Sequence, residues 1–415
     1  MLQKDQKEVI RAPSYYVKKR LLKNKPAMFG MIVIVIAHII AIFGYLIMPD
    51  STSNANDGAV QIQKKLPGFK VMLLNSRKNM EVPKVNFIKK MLFGQEREYY
   101  IVPISDYLIK NLTVYIQIYG KKNRYEDYDL VNLVKPLYVG HSDKIIPEFD
   151  MNYKVDGDVI TYLDHNETIQ TIKKADLVKE FKEKCIEQRK YILGTDRSGR
   201  DILSRLIFGI RISLSIGFIA VLISLAVGIT LGGLSGFLGD RVDKVIVWLM
   251  TVVWSIPGIM LVIAISLALQ SKSIWVTFVA VGLTMWVDVA RVVRGQILSV
   301  KEKTFVEAAR ALGFDTLRII FKHILPNIMG PVIVVATANF AAAILIEAGL
   351  SFLGLGVQPP TPSWGMMVND GFKTIGSKDS WYLIVFPSAC IMLMVFAFNL
   401  FGNGLRDAYD PRSSV

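Results

Sequence analysis

The chain has 415 residues, of which 52% are hydrophobic, and a formal net charge of +14. A water-soluble protein rarely combines such apolarity with such a charge, whereas membrane proteins do, because Lys and Arg collect on their cytoplasmic side. We therefore expect the charge to serve membrane topology rather than a nucleic-acid partner. Two cysteines, Cys185 and Cys390, and four scattered histidines provide no disulfide framework and no metal-ligand spacing.

Six apolar runs are long enough to cross a bilayer, which takes roughly 20 residues per helix. They are Met28–Met48, Ile207–Leu234, Val245–Leu269, Ile274–Val289, Ile328–Phe352 and Trp381–Phe401. The sequence thus predicts an all-α membrane protein with six transmembrane helices. A basic stretch from Lys18 to Lys25 precedes the first run, and basic residues recur in every second connection between runs. The positive-inside rule therefore places both termini in the cytoplasm.

The connection between the first and second runs is too long for a simple loop and lies outside the cytoplasm in this orientation. Leu112–Tyr119 alternates like a strand, and Val159–Leu163 follows an Asp156-Gly157 turn. Ala175–Tyr191 has the pattern of a charged amphipathic helix. We predict a small α+β domain here, roughly Ser51–Arg189. The predicted organisation is a basic N-terminus (1–27), a first helix (28–48), an extracytoplasmic insert (49–192) and a five-helix core (193–415).

A polar, basic segment, Thr304–Pro326, lies between two apolar runs and has the pattern of two short helices. Thr304 and Glu307 form a T-x-x-E capping box for the first helix. Gly313 suits a left-handed helix end, Asp315 can cap the second helix, and Pro326 is predicted to end it. Small side chains at Ala308 and Ala309 would let a partner approach closely. The segment therefore predicts a helix–turn–helix that docks into another protein, although Glu307 and Gly313 would also suit purely local roles.

Three further features lie elsewhere. Glu347 is a carboxylate near the outer end of the fifth run, which indicates either the lining of a path through the membrane or a hydrogen-bonded tie to the next turn. Pro257 and Gly258 are expected to bend the third run and, with Glu347, to belong to the translocation path or its gate. The outer motif LGTDRSGRD, with Gly194, Thr195, Asp196, Gly199, Arg200 and Asp201, is rich in turn and capping residues. We interpret it as an outer structural element and as a candidate contact for the protein that delivers the substrate.

Together these residues resemble a known family. The sequence is similar to permease subunits of binding-protein-dependent ABC importers of the peptide/nickel class, and most similar to the C-type permease of oligopeptide and dipeptide systems. The motif of that family appears as Glu307-Ala308-Ala309, Gly313 and Leu325-Pro326. Further matching segments are Leu193–Asp201, Ile256–Gly258, Glu347–Gly365 and Gly404–Arg412. The insert departs from the family, whose members usually have a much shorter first outer loop.

The resemblance implies a multi-pass protein of the cytoplasmic (inner) membrane of a prokaryote. It implies that the cytoplasmic loop, about 292–326, docks onto separate ATPase subunits through Thr304, Glu307, Ala308, Ala309, Gly313, Asp315, Leu325 and Pro326. No G-x-x-x-x-G-K-[ST] occurs in the sequence, so we expect no enzyme activity and no cofactor in this chain, with ATP and Mg bound by the partners.

The implied partners are a homologous second permease, two ABC ATPase subunits or domains, an extracytoplasmic substrate-binding protein and the lipid bilayer. The implied substrates are short peptides, with nickel or another small solute as the alternative. A secondary transporter or a membrane-anchored sensor is a more remote interpretation, because either would leave the docking segment without a role.

Overall fold

The computed structural model describes residues 13–121, 124–140, 152–271, 273–376 and 379–410. The described residues fall into two compact units. The helical unit comprises the described residues within Met1–Ala41, Gly209–Asn369 and Val385–Val415. The sheet-containing unit comprises those of Ile42–Phe208 and Asp370–Ile384.

Fourteen α-helices occur in the described residues. They are α1 (Pro13–Lys23), α2 (Lys25–Ile47), α3 (Phe87–Phe93), α4 (Leu130–Val134), α5 (Lys174–Glu180), α6 (Ile202–Leu238), α7 (Asp240–Ser255), α8 (Gly258–Ala268), α9 (Ile274–Val300), α10 (Thr304–Ala311), α11 (Thr316–Arg318), α12 (Leu325–Phe352), α13 (Trp364–Phe372) and α14 (Tyr382–Tyr409). The long ones are helical because a bilayer offers no water to backbone N–H and C=O groups, which must bond within the segment.

Five helical stretches of the described chain are long and apolar enough to cross a membrane, and a sixth span results if one bent pair is counted. The five are Lys25–Ile47, Ile202–Leu238, Ile274–Val300, Thr316–Phe352 and Tyr382–Tyr409. Each contains most or all of one predicted apolar run, with ends shifted by several residues. The protein is therefore a mostly helical membrane protein with five or six apolar helices.

The predicted third run, Val245–Leu269, is not one helix. It is divided between α7 and α8, whose axes differ by 95°. Ile256 takes an extended conformation (φ −90°, ψ 128°) at the break, and Pro257 follows with φ −54° and ψ 126°. The bend expected from Pro257 and Gly258 is present, but it is a full break, because a residue before proline avoids the helical region.

The predicted fourth run, Ile274–Val289, ends too early, since α9 continues to Val300. The apolar run stops at the basic residues, but charged side chains on an exposed surface do not end a helix. Arg294 on this extension donates from Nε to Asp243 Oδ1 (2.6 Å) and from a terminal nitrogen to Oδ2 (2.7 Å). This bidentate pair joins α9 to α7.

The sheet-containing unit holds eight described strands in two antiparallel sheets. They are β1 (Phe69–Arg77), β2 (Tyr99–Lys110), β3 (Thr113–Ile118), β4 (Tyr125–Asp129), β5 (Tyr153–Asp156), β6 (Val159–Leu163), β7 (Ile169–Lys173) and β8 (Ile186–Tyr191). The five-stranded sheet has the order β4-β3-β2-β1-β8, and the three-stranded sheet has the order β5-β6-β7. One apolar core, which includes Leu74, Ile116, Ile160 and Phe181, contains residues of both sheets.

The two strands predicted in this region are confirmed as β3 and β6. The predicted helix over Ala175–Tyr191 is correct only in its first part. It is α5 to Glu180, then a wide π turn over Phe181–Cys185, and finally strand β8. Strand β8 forms because its backbone pairs with β1, with Tyr191 opposite Phe69.

Candidate functional site

Helix α10 opens the segment that the sequence marks for docking. It follows Lys303, whose extended backbone (φ −84°, ψ 148°) forms the N-cap without a side-chain hydrogen bond. The N–H groups of Val306 and Glu307 both donate to the Lys303 carbonyl. The predicted capping box is therefore wrong, because Thr304 is already the first helical residue and is not in the capping position. Glu307 stays in the first turn, where its charge favours the helix dipole.

The turn at Gly313 is confirmed. Its φ is +74°, and its N–H donates to the Arg310 carbonyl at 2.9 Å. The N–H of Phe314 donates to the Ala309 carbonyl at 3.2 Å, which completes a Schellman helix end. A Cβ at Gly313 would meet no heavy atom within 4 Å. Glycine is therefore required here by its backbone conformation and not by lack of space.

The second helix begins as predicted but does not end as predicted. Asp315 caps it, with Oδ2 accepting from the Leu317 N–H at 3.2 Å. After α11, a π turn over Ile319–Ile324 leads directly into α12, so the prediction that Pro326 ends a helix is wrong. In the wide turn the Leu325 N–H donates to the Ile320 carbonyl. Pro326 then falls in the first turn of the next α-helical stretch, where a missing N–H is tolerated.

The inner surface of the segment packs on the end of α9. Val306, Ala309, Ile319 and Ile324 are almost fully buried in one apolar cluster with Val293, Ile297 and Val300. Ala309 is only 3% exposed, so its small side chain serves internal packing and not partner contact. Ala308, Glu307 and Pro326 are exposed, and Leu325 is half-buried. The inner surface of the helix–turn–helix is thus packed on the apolar end of α9.

The outer surface of the segment carries large apolar side chains. Leu312, Leu317, Phe321 and Phe305 are 72%, 57%, 55% and 38% exposed, and we call these four the docking surface. Sequence reasoning did not select them, although four large apolar residues in an otherwise polar stretch are a signal that could have done so. Basic groups lie among them, since the Arg318 guanidinium lies 4.2 Å from the Phe314 ring centroid.

Glu347 belongs to a buried hydroxyl cluster at the far end of α12. Its side chain is fully buried, and Oε1 accepts from the Ser351 hydroxyl at 2.7 Å. The Ser363 hydroxyl donates to Ser351 Oγ at 3.3 Å, and the Val357 N–H donates to the same oxygen at 3.1 Å. The tie from Glu347 to the following turn is therefore present. Oε2 accepts no hydrogen bond from the residues that the structure describes.

The break at Pro257 and Gly258 leads into α8, which packs near the Glu347 cluster. Val262 of α8 is buried in one cluster with Ala343 and Leu350 of α12. A Cβ at Gly349 would approach the side chain of Ile259 at 3.2 Å. The structure therefore brings the start of α8 and the Glu347 region of α12 together.

The outer motif forms a compact loop in the sheet-containing unit. Asp196 Oδ1 accepts from the N–H groups of Ser198 (2.8 Å) and Arg200 (3.0 Å). Asp196 Oδ2 lies 2.7 Å from Arg200 Nε and 3.4 Å from Nε of Arg205, which is 1% exposed. The loop is thus organised around one carboxylate with two guanidinium partners.

The other residues of the outer motif attach this loop to its surroundings. The Thr195 hydroxyl accepts from the Lys65 N–H at 2.9 Å, and the Thr195 carbonyl accepts from the Tyr382 hydroxyl at 3.1 Å. Gly194 and Gly199 have positive φ values, and a Cβ at Gly199 would overlap the Ala59 carbonyl oxygen. Asp201 caps α6 through the Ser204 N–H (2.8 Å), and burial raises the pKa of its carboxyl. These contacts give the motif a structural role.

The fold and the site define a multi-pass membrane component with a helix–turn–helix seated on the end of one long helix. Two families match the sequence. "Binding-protein-dependent transport system inner membrane component" matches residues 228–415, and "N-terminal TM domain of oligopeptide transport permease C" matches residues 13–67. Residues 68–227, which include all eight strands of the described residues, lie outside both matches.

Curated relatives extend the similarity. The dipeptide transport system permease protein DppC of Bacillus subtilis (strain 168) is 43% identical over 219 residues, 53% of this chain and 68% of that protein. The oligopeptide transport system permease protein OppC of the same organism is 42% identical, over 53% of this chain and 71% of that protein. OppC of Escherichia coli (strain K12) is 44% identical, over 54% of this chain and 72% of that protein.

A solved structure of the MetNI methionine ABC transporter, inward facing, is also similar, with 16% identity and a TM-score of 0.42 over 49% of this chain and 96% of that chain. On the curated relatives and the family matches, the chain belongs to the C-type permeases of binding-protein-dependent ABC transport systems. Members of this family are transport components, which confirms that the chain is not an enzyme.

Proposed function

We propose that the chain is one of two permease subunits of an ATP-driven importer that moves short peptides across the cytoplasmic membrane. The observation that carries the proposal is the similarity of about 43% to permeases named for dipeptides and oligopeptides. A homologous permease completes the pore, and an extracytoplasmic protein delivers the peptide. Both termini lie in the cytoplasm, which the basic residues between Lys18 and Lys25 support.

The energy is supplied by two separate ABC ATPase subunits or domains that bind ATP and Mg. The docking surface (Phe305, Leu312, Leu317, Phe321) inserts into a groove on one of them, with Glu307, Gly313 and Asp315 fixing the geometry of the two helices. Its support is the exposure of large apolar side chains on a segment whose opposite surface is buried in an apolar cluster. Because α11, the π turn and α12 are continuous, a movement of the ATPase is passed directly along α12.

Glu347 lines the translocation path or its outer gate, close to the break at Pro257 and Gly258. Its support is a fully buried carboxyl group on a helix that is long and apolar enough to cross the membrane. A carboxyl group in a membrane segment is costly unless it serves a cavity or a partner. The start of α8 packs beside this region, so an opening of the break would change what surrounds Glu347.

Docking is tested by Leu312→Glu, a change at a leucine of the docking surface that is 72% exposed. The matched control is Leu108→Glu, because Leu108 is also exposed (51%) but lies on β2, away from that surface in sequence. Affinity purification from native membranes should recover a P-loop ATPase and a second permease with the wild type. Loss of a central apolar contact costs about 2 kcal/mol, so Leu312→Glu should weaken ATPase recovery roughly 30-fold. Equal recovery with both variants would contradict the proposal.

The substrate is tested with the purified complex in proteoliposomes. ATP-dependent accumulation of a labelled tripeptide, delivered by the co-purified binding protein, is the expected result. Accumulation of nickel but not of peptides, with the ATPase correctly bound, would contradict the peptide assignment while leaving the permease assignment intact.

A further inference from the structure

Helix α3 exposes an unusual number of apolar side chains for a segment outside the predicted spans. Its sequence is FIKKMLF, and none of its seven residues is buried. Phe87, Ile88 and Phe93 are 65%, 62% and 66% exposed. Exposed aromatic and aliphatic side chains grouped on one short element are typical of a surface that is covered in the working protein.

The ends of α3 are firmly fixed. The Asn86 side chain accepts from the Lys89 N–H at 2.8 Å, which caps the start. Gly94, with φ +79°, ends the helix. Gln95 then joins the two flanks, since its Oε1 accepts from the Val85 N–H at 3.0 Å and its Nε2 donates to the Pro83 carbonyl at 3.1 Å. The exposed side chains are therefore presented by an ordered element.

The fixed end of α3 touches the end of the first span. The Gln95 N–H donates to the Ser51 carbonyl at 2.9 Å. A Cβ at Gly94 would lie 2.5 Å from that carbonyl oxygen and 2.8 Å from the Tyr45 ring. Tyr45 is two residues from the end of α2. Seven helical residues extend roughly 10 Å, so the whole of α3 lies near the level at which the chain leaves the hydrocarbon layer.

The charge of α3 matches one kind of surface. Lys84 and Lys89 are exposed and Lys90 is half-buried, whereas residues 84–94 contain no acidic side chain. Lysine beside exposed Phe and Ile is the composition of an interfacial membrane helix, whose apolar groups enter the acyl region while its cations meet lipid phosphates. An anionic leaflet adds to this attraction.

We propose that α3 lies in the headgroup region of the leaflet at this end of α2, with Phe87 and Ile88 inserted among the lipid chains and Phe93 lying at the interface at the end of the helix. The lysines bind anionic phospholipid headgroups. The inserted helix holds the five-stranded sheet, which follows directly through β2, at the membrane surface. This proposal depends on α2 being a span and not on the identity of the transported solute.

The test measures the depth of a spin label in the full chain. Cys390→Ser removes the half-exposed native thiol, and Cys185 is fully buried, where burial raises its pKa to about 12, so it remains unlabelled. A label is attached at Ile88→Cys, and at Ile169→Cys as the control. These isoleucines are 62% and 55% exposed, and Ile169 lies on β7 beside the polar Gln170.

The protein is placed in nanodiscs of phosphatidylethanolamine and phosphatidylglycerol, and collisions are measured with oxygen, which enters lipid, and with a water-soluble nickel chelate. The label at residue 88 should collide less often with the nickel chelate and more often with oxygen than the label at residue 169 does. Phe87→Ser with Phe93→Ser should restore nickel collisions at residue 88. The two side chains are mostly exposed, so this double change leaves the fold intact.

Equal nickel access at residues 88 and 169 would overturn the proposal. So would protection of residue 88 that arises only after the extracytoplasmic binding protein is added, because the surface would then belong to a protein partner. Protection that the double serine variant does not reduce would also contradict insertion by these aromatic side chains.

Discussion

Asp196→Asn is expected to destabilise the sheet-containing unit strongly. The Asp196 side chain is 9% exposed and serves both Arg200 and Arg205, the latter 1% exposed. Asparagine keeps an oxygen for the N–H groups of Ser198 and Arg200, so the geometry of the loop survives while the charge is lost. Removing one partner of a buried ion pair costs about 3–5 kcal/mol, because the remaining charge is buried without compensation.

The change is measured as the midpoint of thermal unfolding in nanodiscs. A domain of this size loses roughly 2–4 °C per kcal/mol, so a decrease of about 6 °C or more is expected. Asp156→Asn is the matched control, since Asp156 lies 3.5 Å from Lys154 and the two side chains are 65% and 58% exposed. An exposed pair contributes about 0–1 kcal/mol. Equal midpoints for the two variants would refute the argument that the Asp196 charge holds this loop.

Three further outcomes are expected. Gly313→Ala should cost about 1 kcal/mol at its positive φ and reduce ATPase coupling. The control Gly295→Ala lies inside α9 with ordinary φ and open space, so it should stabilise the helix by about 0.5–1 kcal/mol and leave coupling unchanged. Equal coupling in the two variants would count against a role for the Gly313 turn. Glu347→Gln should abolish peptide uptake without changing subunit recovery, and normal uptake would remove Glu347 from the path. The pKa of Cys185 is raised from 9.0 to about 12 by burial, so the folded state binds the thiol proton more tightly, and stability should fall as pH rises from about 9. Cys185→Ala should reduce the steepness of this fall by the share of one proton, as measured by unfolding midpoints across the pH range; an unchanged slope would contradict the assignment.

The features that the sequence predicts best are those decided by a few neighbouring residues. Gly313 and Asp315 act within one turn of chain, and the structure has both in the predicted roles. The predicted capping box is wrong by one position, because the N-cap residue is Lys303 and not Thr304. The prediction that Pro326 ends a helix is wrong because a π turn shifts the hydrogen-bond register just before this proline, and no local sequence pattern predicts such a turn.

The features that the sequence misses depend on distant partners. Ile186–Tyr191 is a strand because it pairs with Phe69–Arg77, more than 100 residues earlier, and its own charged pattern is equally compatible with a helix. The burial of Ala309 is likewise set by its place in one apolar cluster with Ile297 of α9, which is distant in sequence from the local pattern around Ala309. The roles of the docking residues and of Glu347 remain predictions that the experiments above address.

The continuity of Thr316–Phe352 has a consequence for the spacing of residues along it. Each residue of an α-helix turns the chain by about 100° and advances it by 1.5 Å. Deleting a single alanine from Ala341–Ala343 would therefore rotate Glu347 by about 100° relative to Leu317, while shortening the distance between them by only about 1.5 Å. The rotational phase between the two ends of this helix is thus set by the number of residues between them, independently of the identity of those side chains.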